Sequence, residues 1–384
     1  MPTGNAKSKN GKIHPRGLLS FRRGTASPFS KKAAAWHTPC LLNRMVDFKR
    51  FGKVWLVVLL ILGVGLVQTG CGRAEEAEGL KRVRFMADWL AVPEQGGFFQ
   101  ALAKGYYEEA GLAVEIVHRT GNTPQTMVVT KGGADLAIGG SDEALLGIGQ
   151  GMPLQILRPY FQNHPYALMF HEGERVETFK ELDGRQVMSF LGATWIPYVE
   201  SKYGIDLHLI PLNDTIQHFL ADSSGKFIQA VFVTNEPVVA RNAGVETETL
   251  LISESGWNPY KVIFSRRGYI ESNPETAWAF VEASLRGWED YLTGDPSPAH
   301  ALIAERNPAM SLSFMESIRE AMKAYRIVSG EKPLGEGLGT IDPARLLREM
   351  EALKNLGMID AVYGIDRILA NPKDPLNRNE EQTP

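Results

Sequence analysis

Cysteine is nearly absent from this 384-residue chain, which holds two, Cys40 and Cys71. Cys40 precedes Met45 and Cys71 follows a short apolar run, so the chain beyond residue 71 has no thiol for a disulfide or a thiolate metal site. Its fold must rest on core packing. Enzyme motifs are missing too: no HExxH, CxxC or P-loop pattern occurs, and the eight histidines are scattered. His164 and His171, seven apart across an expected strand, point to opposite faces and make no metal pair. Neither a metal nor a cofactor is expected. The GxGxG run at Gly147, Gly149 and Gly151 closes a helix instead of opening one after a strand, and reads as a turn.

Positive charge is scarce beyond residue 70. Residues 1–70 hold twelve Lys/Arg against one acid, Asp47, whereas the remainder holds 29 Lys/Arg against 43 Asp/Glu. So acidic a body, without a Lys/Arg block, excludes a protein that tracks nucleic-acid phosphates. The basic start reads as targeting sequence. A membrane-length apolar run is also lacking. Residues 54–67 form an uninterrupted apolar stretch, but as a helix it spans about 21 Å against a hydrocarbon core of roughly 30 Å.

Preceded by Lys49, Arg50 and Lys53, that run fits the h-region of a signal peptide. Gln68-Thr69-Gly70-Cys71 then resembles a bacterial lipobox, with Gln68 where an aliphatic residue is usual. The expected division is a leader or misassigned start over 1–44, a signal peptide over 45–70, and a polar tether over 71–81 that begins at a lipid-bearing Cys71. A plain secretory cut near the same point is the alternative. Arg22-Arg23 lies too far ahead of the apolar run to act as a twin-arginine signal.

What the rest contains is an alternation of short apolar strands and helix patterns, the sign of α/β units around parallel sheet. Strands are expected over 83–89, 112–117, 134–139, 154–160, 185–190, 207–212, 229–234, 249–253 and 260–265. Helices are expected over 94–110, 141–149, 194–203 and 215–221, and from 235 through 241. After residue 265 the pattern is almost wholly helical, over 274–292, 298–305, 312–328 and 343–356. A sheet, a second sheet and then helices describe a chain that crosses over and returns. Lobe 1 is expected over 82–165 plus 262–360, lobe 2 over 166–261, and a C-terminal tail over 361–384. Two such lobes leave a cleft, where small ligands usually bind.

Six segments in order carry a resemblance: DWLAVPEQGGFFQALAKGYYEEAGLAVEI, GGADLAIGGSDEALLGIGQGMPLQIL, FQNHPYALM, FKELDGRQV, FVTNEPVVARNAG and NPETAWAFVEASLRGWEDYLTGDP. Over residues 83–360 the chain resembles the periplasmic substrate-binding proteins of ABC importers, in the branch shared by thiamine-pyrimidine, riboflavin, aliphatic-sulfonate and nitrate receptors. The resemblance implies a type II periplasmic-binding-protein fold, two α/β lobes joined by two crossover strands that close around a ligand. It also implies an ABC permease as partner, a place in the periplasm or at the cell surface, and a monomer. The eukaryotic thiamine-pyrimidine synthase shares this fold but carries a cysteine-rich motif that this chain cannot supply, so no enzyme is expected.

Within this frame, Asp88 and Trp89 end the first strand at the carboxyl edge where open α/β sheets bind ligands. Trp89 can stack on a planar ring and Asp88 can accept from ring amino groups, or they are a core Trp and a loop-capping Asp. Ser141 and Asp142 open a helix, as caps or as ligand groups. Gly192-Ala193-Thr194 precedes a helix whose free N–H groups can hold an anion. Trp195 and Tyr198, three apart on that helix, line the cleft or pack on the sheet. Glu236 faces the ligand or serves the helix dipole, and Gln162 and Asn163 near the first crossover are further candidates. Three carboxylates around one cleft favour an amino-bearing heterocycle, an aminopyrimidine vitamin precursor, over sulfonate, nitrate or taurine.

Overall fold

A computed structural model of the protein describes residues 79–119, 123–212 and 215–370. The expected leader, the signal peptide, the Cys71 anchor, most of the tether and residues 371–384 lie outside the described residues. Among the described residues, no helix is long and apolar enough to cross a membrane.

Among the described residues, ten strands form two five-stranded sheets. The first orders β2 (Leu112–His118), β1 (Lys81–Ala87), β3 (Leu136–Gly140), β10 (Lys261–Arg266) and β4 (Leu154–Phe161). β1 pairs parallel with β2 and β3, while β10 runs antiparallel between β3 and β4. The second sheet repeats the scheme as β7 (His208–Pro211), β6 (Gln186–Ser189), β8 (Ile228–Phe232), β5 (Tyr166–His171) and β9 (Thr247–Leu251). Here β6 is parallel to β7 and β8, and β5 is antiparallel to β8 and β9. Nearly every residue of β3, β4 and β10 is buried, as strands covered by helices on both faces must be.

Eight helices of seven or more residues are described: α1 (Gly96–Ala103), α2 (Ser141–Gly149), α3 (Trp195–Tyr203), α4 (Glu236–Asn242), α5 (Pro274–Thr293), α6 (Ser297–Arg306), α7 (Leu312–Ala324) and α8 (Pro343–Asn355). The helix expected over 94–110 is interrupted. Pro93–Gln95 is a single 3-10 turn, α1 stops at Ala103, and Gly105 takes φ 74° before a short helix, Tyr106–Glu109. A left-handed residue ends a right-handed helix, and glycine adopts that conformation at no steric cost.

The Gly96-Gly97 pair permits a close helix crossing. A Cβ on Gly97 would stand 2.2 Å from the Trp288 ring, and one on Gly287 of α5 would stand 2.2 Å from the Gly97 carbonyl oxygen. Bare backbone on both helices lets α1 and α5 approach until Phe98, Tyr160, Phe161 and Trp288 interlock, with ring centroids 4.5–5.9 Å apart. That aromatic knot is the centre of the first sheet's core.

The chain leaves the first sheet after Phe161, enters the second at Tyr166, and returns between Leu251 and Lys261. The two connections are stitched together. Asn258 Nδ2 donates to Asn163 Oδ1 at 3.0 Å, and its own Oδ1 accepts from the His164 amide at 2.8 Å. The packed chain also runs past residue 360, where a tail was expected. Ile368 is fully buried, and the Ala370 amide donates to the Ile156 carbonyl at 2.9 Å. An apolar side chain seated against β4 keeps 361–370 in place.

Candidate functional site

The carboxyl ends of the parallel strands in both sheets meet across one cleft. From the first sheet come the segment after β1, residues 88–95, and the start of α2. From the second come residues 190–194 after β6 and 233–236 after β8. Within each sheet strand polarity gathers them, because every parallel strand delivers its following loop to the same edge; hydrogen bonds from Thr234 to Glu94 and from Thr194 to Asp142 join the two edges.

Asp88 sits at the centre of the first group. Its carboxylate is 2.6 Å from Lys261 Nζ, both side chains being largely buried, and it accepts from Gln95 Nε2 at 3.1 Å. Burial works against the Lys261 ammonium, but Asp88, with help from Glu143 and Asp142, more than offsets that and holds its pKa above the ordinary lysine value. Trp89 is 41% exposed, with the Arg119 guanidinium 5.4 Å from its ring centroid. It is a rim residue, not a core tryptophan. The loop is fixed further by Gln95 Nε2 and His118 Nδ1 at the Trp89 carbonyl, and by Asn307 Nδ2 donating to the Ala91 carbonyl at 2.9 Å.

Glu94 faces the same space. Burial pushes its carboxyl up to about 7, with Glu236 and Asp88 adding to the effect. Thr234, from the second sheet, donates its hydroxyl to Glu94 Oε1 at 2.7 Å. Glu236 is half-buried and raised to about 6 by burial; its Oε2 accepts from the Phe232 amide at 2.8 Å. Asp142 is buried and raised by burial and then by Glu143. It accepts a short hydrogen bond from the Thr194 hydroxyl, which in turn accepts from Trp257 Nε1 at 3.2 Å. Two threonine-to-carboxyl bonds therefore cross between the sheets.

Asp88, Trp89, Asp142, Thr194 and Glu236 thus lie at the carboxyl ends of these strands, but four other expectations need correction. Ser141 donates to both oxygens of Glu349 at 2.8 and 2.9 Å and accepts from the Tyr260 amide, so its hydroxyl is committed to packing α2 on α8. Gln162 gives its amide to the carbonyls of Gly337 and Thr340, both at 2.8 Å. Trp195 is 1% exposed and belongs to the core beneath α3. Tyr198 packs on Trp257, ring centroids 4.9 Å apart, against the returning connection. Periodicity put both aromatics on one face of α3; it could not say that this face meets the sheet. At the helix start that was expected to hold an anion, the Thr194 hydroxyl donates to the chain's own Asp142 carboxylate.

Sequence reasoning missed Glu94, Gln95, Thr234 and Lys261. A signal existed for Lys261, a lone cation at the head of the apolar run KVIF, and Glu94-Gln95 sits inside the quoted DWLAVPEQGG segment. Two surface cavities, of about 230 Å³ beside Arg267 and Arg367 and about 540 Å³ beside Arg84 and Glu115, lie away from this cleft.

Comparison with known proteins adds to this geometry. The family model described as NMT1/THI5 like matches residues 92–299, more than half of the chain. The chain is 22% identical over 295 residues to the formylaminopyrimidine-binding protein of Halalkalibacterium halodurans, covering 74% of this chain and 87% of that one. It is 24% identical over 303 residues to the riboflavin-binding protein RibY of Chloroflexus aurantiacus, covering 76% and 86%. A 4-amino-5-hydroxymethyl-2-methylpyrimidine phosphate synthase of Schizosaccharomyces pombe aligns at 24% identity over 127 residues, 32% of this chain and 36% of its own. Among solved structures, the periplasmic aliphatic sulphonate binding protein SsuA of Escherichia coli superposes with a TM-score of 0.58 at 13% identity, covering 76% of this chain and 92% of SsuA. The fold is that of the periplasmic binding proteins.

Proposed function

The chain belongs to the NMT1/THI5-like family, and from that premise we propose that it is the extracytoplasmic solute receptor of an ABC importer. It binds an amino-bearing planar heterocycle of the aminopyrimidine class, closes around it, and presents the closed form to a permease. Relatives matched along most of their length bind an aminopyrimidine and riboflavin by name, whereas the synthase likeness spans a third of this chain. On this reading it is a binding protein and not an enzyme. It is held at the membrane surface by lipid on Cys71 and works as a monomer. Lobe 1 comprises 82–165 with the segment after 261, lobe 2 comprises 166–261, and the Asn163–Asn258 stitch is the hinge.

The observation that carries the ligand class is the charge of the cleft. Asp88, Glu94, Asp142 and Glu236 converge there, Lys261 is already bound to Asp88, and the Thr194 hydroxyl is bound to the Asp142 carboxylate. An anion would meet repulsion; a ring with amino groups would find acceptors, with Trp89 and Asp88 as first contacts. The ligand closes the lobes by preferring the closed state.

Thermal shifts of the purified protein against aminopyrimidines, thiamine, riboflavin, nitrate, taurine and alkyl sulfonates test this. A ligand at a hundred times its Kd adds about 2.7 kcal/mol. A rise with aminopyrimidines that is lost in Trp89→Ala supports the reading; a rise with taurine, sulfonate or nitrate alone refutes the ligand class.

A further inference from the structure

Glu94 and Gln95 lie on one 3-10 turn, 5% and 1% exposed. Gln95 spends its amide nitrogen on Asp88 and the Trp89 carbonyl, and Glu94 spends Oε1 on Thr234. The other oxygen of each, Glu94 Oε2 and Gln95 Oε1, is buried with no hydrogen-bond partner among the described residues. A buried polar atom without a partner keeps its desolvation cost uncompensated, and two on adjacent residues behind the Trp89 carbonyl mark a place built to meet something.

Resting on the receptor reading above, we propose that Glu94 and Gln95 are the donor-reading edge of the cleft. They select a ring with an exocyclic amino group, whose two N–H bonds supply one donor to each oxygen, next to the Trp89 segment. Gln95 Oε1 only accepts, as does Glu94 Oε2 when ionised, so a ring that offers acceptors or a negative charge to them leaves them unpaired and is rejected. Glu94 has a second part. Through Oε1 it holds Thr234 of the opposite lobe, and through Oε2 it meets the ligand, so one carboxyl links recognition to closure.

The linkage has a sign. The ionised carboxylate accepts from donors on both oxygens, whereas the protonated acid does so on one. Asp88 and Glu236 face Glu94 and oppose its ionisation, as does its burial; the Thr234 hydroxyl favours it. Tyr160 and Tyr291 lie within its field. Affinity for such a ring rises with pH through about 7, by at most roughly tenfold per unit.

The test is calorimetric titration of the full protein with 4-amino-5-hydroxymethyl-2-methylpyrimidine, with the same ring lacking its amino group, and with taurine and nitrate. The amino ring is expected to bind the unmodified protein, and its deamino analogue at least tenfold more weakly. Glu94→Gln replaces one acceptor by a donor and is expected to weaken the amino ring roughly ten- to hundredfold and to flatten the pH profile. Its unfolding midpoint confirms that it folds. Thr234→Val spares the ligand edge, and is expected to lower affinity less while leaving a larger radius of gyration by small-angle scattering with the amino ring bound. Equal binding of amino and deamino rings, or unchanged affinity and pH profile in Glu94→Gln, overturns this assignment and leaves the receptor reading standing. Binding of taurine or nitrate alone, or of no probe, overturns the ligand class and this assignment with it.

Discussion

Replacing Lys261 by Met removes the charge that holds Asp88 while keeping most of the side-chain volume. At 2.6 Å, with side-chain exposures of 8% and 18%, the pair is too buried for the modest values of surface ion pairs. Removing one partner of a buried pair costs roughly 3–5 kcal/mol, because the other charge is left uncompensated. Asp88 keeps the Gln95 amide at 3.1 Å and some contact with solvent, so the lower end, about 3 kcal/mol, is expected. Chemical unfolding at pH 7 measures this, and the thermal midpoint falls by roughly 6 °C. The double variant Lys261→Met/Asp88→Asn is expected to recover about 2 kcal/mol relative to the sum of the singles, the signature of a direct pair. Lys261 is held above its ordinary value, so in the unmodified protein this contribution is complete below about 10.5 and is lost as pH rises through the higher folded value. A loss under 0.5 kcal/mol, or additive singles, would show Asp88 to be held by other means and refute the account of the cleft floor.

Other consequences follow from the same geometry. Gly287→Ala drives a methyl to 2.2 Å from the Gly97 carbonyl oxygen, a backbone atom that cannot rotate away; overpacking of roughly 2–3 kcal/mol is expected to outweigh the gain of about 1 kcal/mol in helix propensity, read as a lower denaturant midpoint. Trp89→Ala and Trp195→Ala separate ligand from core: the exposed Trp89 is expected to cost under about 1 kcal/mol of stability while abolishing the aminopyrimidine shift, and the buried Trp195 to cost roughly 3–5 kcal/mol. Buried acids whose folded pKa is raised favour folding most below their unfolded pKa, and that advantage is lost as pH rises through the folded value. Glu94 at about 7 and Glu236 at about 6, with Glu349 shifted the same way, therefore predict a stability that declines from about pH 5 to pH 8, and a shallower decline in Glu94→Gln; a rising curve over that window contradicts the burial of these acids. Glu349→Gln retains an acceptor for Ser141 and sheds the buried charge, so it is expected to raise the denaturant midpoint at pH 8 and not at pH 4.

The elements were largely legible, for reasons visible in particular residues. Helix α2 matches the expected 141–149 because Ser141-Asp142 marks its start and Gly149 its end. The run Leu154–Phe161 is apolar along its whole length, as a strand covered on both faces must be. The break at Gly105 was not legible, since glycine inside a helical pattern is often tolerated and the apolar spacing of Phe98, Phe99, Leu102 and Tyr106 runs straight across it. Nor was the docking of Ile368 onto β4, which depends on a groove made by distant residues.

The site divides along the same line. Local order determined which residues follow strands, and strand polarity then sends Asp88, Trp89 and Asp142 to the carboxyl edge of one sheet and Thr194 and Glu236 to that of the other. What those side chains then do was decided by partners far away in sequence. Ser141 is claimed by Glu349, 208 residues on, Asp88 by Lys261, Thr194 by Asp142, and Glu94 by Thr234, 140 residues on. A carboxylate's charge and a hydroxyl's freedom depend on burial and on the nearest donor. Periodicity fixes a side chain's face along its own helix or strand; only packing in three dimensions sets what that face meets.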